Sequence, residues 1–498
     1  MGRTIMLSAA VCALAIASTP ARAASDYVQC DGQAKGMDFA EGLARFTVIL
    51  GSLGLFGSPE QDNAAERRFG QEGVDACTRA VDDGRGKGND LRRSRLLLAR
   101  AIHHVEAKNL DAALADVRQF PAIGGEKAAD PLFLRSFALS ALELEAAVLL
   151  RQGKTAEAEA VALKMAAASP YDLANLVRVT GYLDKSLPVS AAKRAYFANV
   201  IRLMPELRLS WADALRWQGD YGAAGDEAGA VVAMLADKDA SAQLIAGQAL
   251  DLYMAGRAGE ADALAARARS DNDTRAASET TDAAKAVITR TDDLLAFARI
   301  VVAMKAGQTA EARRMFAARE RWLSVPVPTV ADVAARLRVG AAPAELTGAL
   351  ARDPAALRSE ALSGELTRRT NEAALKAMYR TIRPYLSPGN YSALSKNVNE
   401  TAKSKYMPVK QDTLPGETVT VTGGIGVAGG EAVLLHSALI ARARGKTAFA
   451  IVPFRSSLST ARVLFENPGT SKLPSSAYFA ADAVVAALGP RFVPPPSK

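Results

Sequence analysis

Histidine is scarce in this chain of 498 residues: only His103, His104 and His436 are present, which removes most metal-ion and histidine acid–base schemes at the outset. His103 and His104 are neighbours, so a helix splays them by about 100° and they cannot easily share one ion. The spacings G-x-S-x-G, H-E-x-x-H and paired C-x-x-C are missing. The nucleophile-elbow, zincin and cysteine-zinc chemistries that depend on them are therefore not expected. No basic run marks a nucleic-acid tail; the formal charge of +8 is spread among acidic residues along the whole length, a slightly basic solvated surface. No apolar run reaches the roughly 20 residues that span a bilayer.

The longest run at the start has a different meaning. Arg3 precedes an apolar stretch from Ile5 to Ala17 and then Ala21-Arg22-Ala23, the layout of a secretory leader cleaved near Ala23. Residues 1–23 are read as that signal peptide, and the mature chain as a periplasmic or secreted protein beginning at Ala24. Cys12 leaves with the leader. Cys30 and Cys77 remain, an even pair in an oxidising compartment, and predict one disulfide pinning an N-terminal cap at 24–63. Within that cap, Phe46 to Phe56 is unusually apolar but carries Gly51 and Gly54, which suits a buried piece of the cap better than a membrane insertion.

Across the middle of the chain a small pattern returns, a turn glycine followed five residues later by an alanine. It reads Gly153 to Ala158, Gly219 to Ala224, Gly256 to Ala261 and Gly307 to Ala312. Apolar residues around it recur at helical spacing, as in Phe133, Phe137, Ala141, Leu144 and Val148. Glycine permits the positive φ that ends a helix, alanine lets two helices approach closely, and Pro170 ends the helix it follows. An earlier, decayed unit has Lys108 in the glycine's place ahead of Ala113. Units of this kind cannot bury an apolar face alone, so repetition predicts stacked hairpins.

Gly153, Ala158 and Pro170 resemble the turn glycine, packing alanine and terminal proline of the tetratricopeptide repeat (TPR). The resemblance is degenerate and covers residues 64–325. It implies a TPR-like α-solenoid whose groove takes an extended segment or a helix, with Trp211, Trp217 and Tyr221 as candidate groove contacts.

After Val325-Pro326-Val327-Pro328 a helical segment is expected over 326–406, then a Gly/Pro-containing linker at 407–430, and a small α/β (α+β) module at 431–498. That module should hold a helix from about Glu431 to Arg444, strands at Ala448–Phe454 and Ala461–Phe465, and a last helix over Tyr478–Ala487. Two motifs there and nearby invite chemistry. Gly424-Ile425-Gly426-Val427-Ala428-Gly429 is a literal G-x-G-x-x-G, but the strand before it alternates valine with threonine and no carboxylate follows the next strand. Ser190-Ala191-Ala192-Lys193 with Lys446-Thr447-Ala448 loosely resembles the motifs of penicillin-recognising enzymes, yet Ala448 replaces a glycine and Ser190 sits in a helical repeat.

The expected architecture is mainly α, a TPR-like α-solenoid followed by the small module. The expected function is an exported scaffold or adaptor for another envelope protein or peptide, with no cofactor, metal, nucleic acid or transmembrane segment. An envelope hydrolase or carbohydrate-binding protein with its site where solenoid and module meet is the alternative, and a self-associating structural component a third. Converging Asp, Glu or Ser side chains at that junction would favour the hydrolase.

Overall fold

The structure, a computed structural model, describes residues 24–34, 63–83, 90–123, 128–235, 240–386, 388–399, 407–409, 416–421, 426–452, 460–471 and 473–492. The leader at 1–23 and the apolar stretch Phe46–Phe56 lie outside the described residues. The chain is mainly helical with one small antiparallel sheet near its end. Its contacts divide it into two units, residues 1–148 with 375–385, and residues 149–374 with 386–498.

The first unit contains α1 (Asp26–Asp31), α2 (Gly70–Asp82), α3 (Asp90–Glu106), α4 (Leu110–Ile123), α5 (Pro131–Leu134) and most of α6 (Phe137–Arg151). Cys30 of α1 and Cys77 of α2 are bonded, with both sulfurs shut away from solvent. The bond closes a separation of 47 residues, which in the chain-entropy account stabilises by about 4 kcal/mol. Next to it Asp31, 5% exposed, accepts from Arg92 at 2.6 and 2.9 Å and from Arg95 at 2.9 Å. The short α1, which would be marginal alone, is thus fastened by a covalent bond and by a buried carboxylate with two guanidinium partners. The helical segment expected over 326–406 does not stay together. Residues 375–385 belong to the first unit, where Met378 and Tyr379 pack on α3 and Arg383 pairs with Glu143 at 3.0 Å.

The second unit continues with α7 (Thr155–Ala168), α8 (Leu173–Thr180), α9 (Ala191–Leu203), α10 (Arg208–Trp217), α11 (Tyr221–Met234), α12 (Ala242–Ala255), α13 (Ala258–Ser278), α14 (Asp282–Lys305), α15 (Thr309–Ala317), α16 (Val327–Arg338) and α17 (Pro354–Thr370). From α10 to α15 each helix packs on its successor, and α12 also packs on α14. Gly153, Gly219, Gly256 and Gly307 all take positive φ, 74°, 78°, 85° and 77°. At each, the glycine N–H bonds three residues back and the next N–H five residues back, as in Gly153 to Leu150 and Lys154 to Leu149, the hydrogen-bond pattern of a Schellman stop. Lys108 in the first unit makes the same stop at φ 63°, the one residue other than glycine with positive φ among the described residues. Five residues after each stop stands an alanine with no exposed surface: Ala113, Ala158, Ala224, Ala261 and Ala312. Pro170 follows the end of α7, and its carbonyl accepts from Asn199 at 2.6 Å.

The Val-Pro run itself opens a helix. Proline fits the first turn of a helix, and α16 starts at Val327 with Pro328 in that turn. Val330, Val333, Ala334 and Leu337 of α16 join the same core as Tyr221, Ile245 and Leu294, beside the packed rings of Phe297, Phe316 and Trp322.

The rest of this unit holds α19 (Pro388–Asn399), β1 (Met407–Val409), β2 (Gly416–Thr420), α20 (Gly426–Ala443), β3 (Ala448–Ile451), β4 (Thr460–Leu464), β5 (Tyr478–Ala480) and α21 (Ala481–Leu488), α18 (Glu372–Lys376) being the short helix at the junction of the two units. The strands lie in the order β1-β2-β4-β3-β5, every pair antiparallel. The stretch read as a linker holds the Val/Thr strand expected before Gly424, which is β2, and adds β1. One expectation is corrected: Tyr478–Ala480, read as the start of a helix, pairs with β3 through Ala448↔Ala480 and Ala450↔Tyr478. Alternation puts Ala448, Ala450, Leu464 and Tyr478 in a cluster with Met234 of α11, while Phe449 and Phe479 stack on the other face at 5.4 Å. Burial on both faces explains why β3 is apolar throughout. The module docks on α8 and α9, and so gains burial that a unit of its size lacks alone.

Candidate interaction site

Asp220 caps α11 by accepting from Ala223 N at 3.1 Å, which sets Tyr221 in the first turn. The Tyr221 ring is buried and its hydroxyl donates to Asp332 of α16 at 2.6 Å. Burial, then the Asp332 carboxylate, push that hydroxyl far above the usual phenol range. The other Asp332 oxygen accepts from Arg358 of α17 at 2.6 Å, and the Arg358 guanidinium lies over the Trp217 ring, 5.3 Å from its centre. One carboxylate thus joins α11, α16 and α17, and a cation–π contact adds α10.

Behind this group Arg216 holds Asp251 of α12 in a two-pronged pair at 2.8 and 2.7 Å. Burial raises the Asp251 carboxyl above its ordinary range and Arg216 opposes the rise. At the edge Lys185 pairs with Asp213, and Arg369 of α17 donates to the Leu183 carbonyl at 3.0 Å. Glu365 is held down to about 2, first by its hydrogen bond to Arg368 and then by Arg369.

The three aromatics read as groove contacts are therefore differently placed. Trp211 is 7% exposed and stacks on Phe197 at 4.6 Å, so it belongs to the core. Tyr221 is buried with its hydroxyl committed to Asp332, and Trp217 is half-buried under Arg358. Asp332, Arg358 and Arg369 were not read from the sequence. The tyrosine at a helix start carried the one hint, since a buried phenol needs a partner, but its partner is 111 positions away.

A second polar cluster lies in the first unit. The His103 ring is fully buried; Nδ1 is 2.8 Å from Glu106 Oε2, and Nε2 is 2.7 Å from both the Cys30 carbonyl and the Tyr379 hydroxyl. Arg67 covers the Tyr379 ring at 3.4 Å, and a Cβ at Gly73 would sit 2.3 Å from the imidazole. Burial raises the Tyr379 hydroxyl well above its ordinary value. The cluster ties α1, α3 and residues 378–381 together beside the disulfide. His104, the neighbour, turns toward Asp116 at 3.7 Å.

The two catalytic-looking motifs have structural uses. Ser190 caps α9 by accepting from Lys193 N at 3.1 Å, and Lys193, fully buried, pairs with Glu159 at 2.9 Å. Thr447 donates twice to Asn467. Gly426, Ala428 and Gly429 lie in the first turns of α20, while Gly424 and Ile425 lie outside the described residues. Among the described residues no group of three or more His, Cys, Asp or Glu is placed to hold a metal ion, and no helix is long and apolar enough to cross a membrane. Compared with family models, curated proteins and solved structures, the chain matches none.

Proposed function

We propose that this chain is an exported scaffold or adaptor, built as a TPR-like α-solenoid, that holds another envelope protein or peptide. The observation that carries the reading is the repeated stop: one left-handed residue, one pair of closing hydrogen bonds and one fully buried alanine five residues later, in five hairpins. A hairpin repeated so closely serves to build an extended surface. The polar clusters favour binding over catalysis, because Asp332, Asp251 and Glu159 are each committed to a basic partner. The buried Cys30–Cys77 bond and the leader-like start support export into an oxidising compartment.

The test is crosslinking with mass spectrometry on the protein in its own cell envelope, together with the intact mass of the mature chain. A single partner whose crosslinks fall along α7 to α15, on a chain beginning at Ala24, is the expected result. Crosslinks confined to residues 407–492, or a mature chain that keeps residues 1–23, would reject it.

A further inference from the structure

From Ala351 to Ala377 no side chain is fully buried, the longest such stretch among the described residues. It lies between Leu350 and Met378, both firmly packed. Its main element is α17, a helix of 17 residues capped by Asp353, which accepts from Ala356 N at 2.9 Å. The preceding helix, α16, has seven buried residues in twelve.

The half-covered residues of α17 are Leu357, Arg358, Ala361, Leu362, Leu366 and Arg369 with their immediate neighbours, one stripe at helical spacing. Leu357 touches the rim of the main core. Arg358 reaches Asp332 and Trp217 near one end, and Arg369 reaches the Leu183 carbonyl near the other. The Arg358–Asp332 pair is about a quarter to a third exposed on each side, and pairs so wetted hold weakly. This is how an amphipathic helix lies in a groove of a separate protein, with apolar residues down the middle and polar anchors at the ends.

We propose that α17 is the chain's own occupant of a helix-binding seat formed by Trp217, Asp332 and the Leu183 carbonyl, and that the seat's external ligand is an amphipathic helix with the same layout. That ligand carries leucines on one face and two basic residues three turns apart, one for the Asp332 carboxylate and one for the carbonyl. It must displace α17, so its apparent affinity is reduced by the fraction of time the seat is occupied. The inference rests on the reading of the chain as a binding protein and names the chemistry of what it binds.

The probe is a labelled peptide of residues 353–370 added to the full mature chain. In the unmodified protein the amides of α17 should exchange with solvent about a hundredfold faster than those of α16, because a weakly seated helix opens without global unfolding. Excess peptide should speed that exchange further. An Arg358→Glu, Arg369→Glu double variant should lose protection in α17 alone and bind the unmodified peptide about tenfold or more tighter, since its seat is vacated. Asp332→Asn in that background should weaken the binding again. Equal protection of α16 and α17 would overturn the proposal, as would a peptide that neither speeds α17 exchange in the unmodified protein nor binds the folded double variant. The exchange experiment stands even where the variant does not fold. It also fails separately from the scaffold reading, which is judged by crosslinks on α7 to α15.

Discussion

The Tyr379 hydroxyl stands 2.7 Å from His103 Nε2, across 276 positions of sequence. The same hydroxyl donates to the Cys30 carbonyl at 3.3 Å, so one phenol closes the polar interior of the first unit. Tyr379→Phe keeps the ring beneath Arg67 and removes the donor. Leaving the buried Cys30 carbonyl and His103 Nε2 each short of a partner should cost about 1–3 kcal/mol, read as a lower urea midpoint for the transition of the first unit. A midpoint unchanged within error would mean that the ring alone secures this segment.

Lys108 holds a left-handed backbone that glycine holds at the four equivalent stops. That conformation costs a side-chain-bearing residue roughly 1–2 kcal/mol, offset in part by the freedom glycine adds to the unfolded chain. Lys108→Gly should therefore raise stability by up to about 1 kcal/mol, and Gly153→Ala should lower it by a similar amount. Equilibrium denaturation of both variants checks the pair, and a Lys108→Gly protein less stable than its parent would refute the argument.

Removing the bond between Cys30 and Cys77 by a Cys30→Ala, Cys77→Ala double substitution should destabilise the first unit by about 2–5 kcal/mol. Hydrogen exchange should then rise in α1 and α2 and stay unchanged in α12 to α15. Uniform loss of protection would show a coupling that this account lacks.

Acid should weaken the fold through two imidazoles. His436, buried, donates from Nδ1 to the Val398 carbonyl, and burial lowers its proton affinity below the ordinary 6.5 despite that bond. His104 is lowered as well, chiefly by burial, with Asp116 opposing. The unfolded chain accepts protons that the folded chain refuses, so stability is complete above pH 6.5 and declines as pH falls below it. The slope is at most about 1.4 kcal/mol per pH unit for each group. Urea midpoints at pH 7.5 and 5.5 measure the decline, and His436→Asn should reduce it; an equal slope in both proteins would exclude His436 as a source.

What could be read from the residues was local. A turn glycine and an alanine five places on each act within a few residues of helix, and each is found where its neighbours demand it. The cysteine pair was also legible, because two candidates leave one pairing. Contacts made across the chain left no such mark. Asp332 and Arg358 look like ordinary charges on helix surfaces, and nothing near Tyr379 announces that residues 375–385 pack on α3. Tyr478–Ala480 was misread for the same reason: three apolar residues before an alanine-rich helix fit its pattern, and only pairing with β3 makes them a strand.

The insertion of residues 375–385 into the first unit imposes an order on synthesis. That unit cannot be completed when its own N-terminal helices leave the ribosome, because Met378 and Tyr379 are still more than two hundred residues away. At ordinary elongation rates the delay is on the order of tens of seconds. Throughout it, the imidazole of His103 and the carbonyl of Cys30 lack their final neighbour. For that interval the helices at the start of the chain form a half-built unit, and whatever meets the nascent chain first meets it before its interior is sealed.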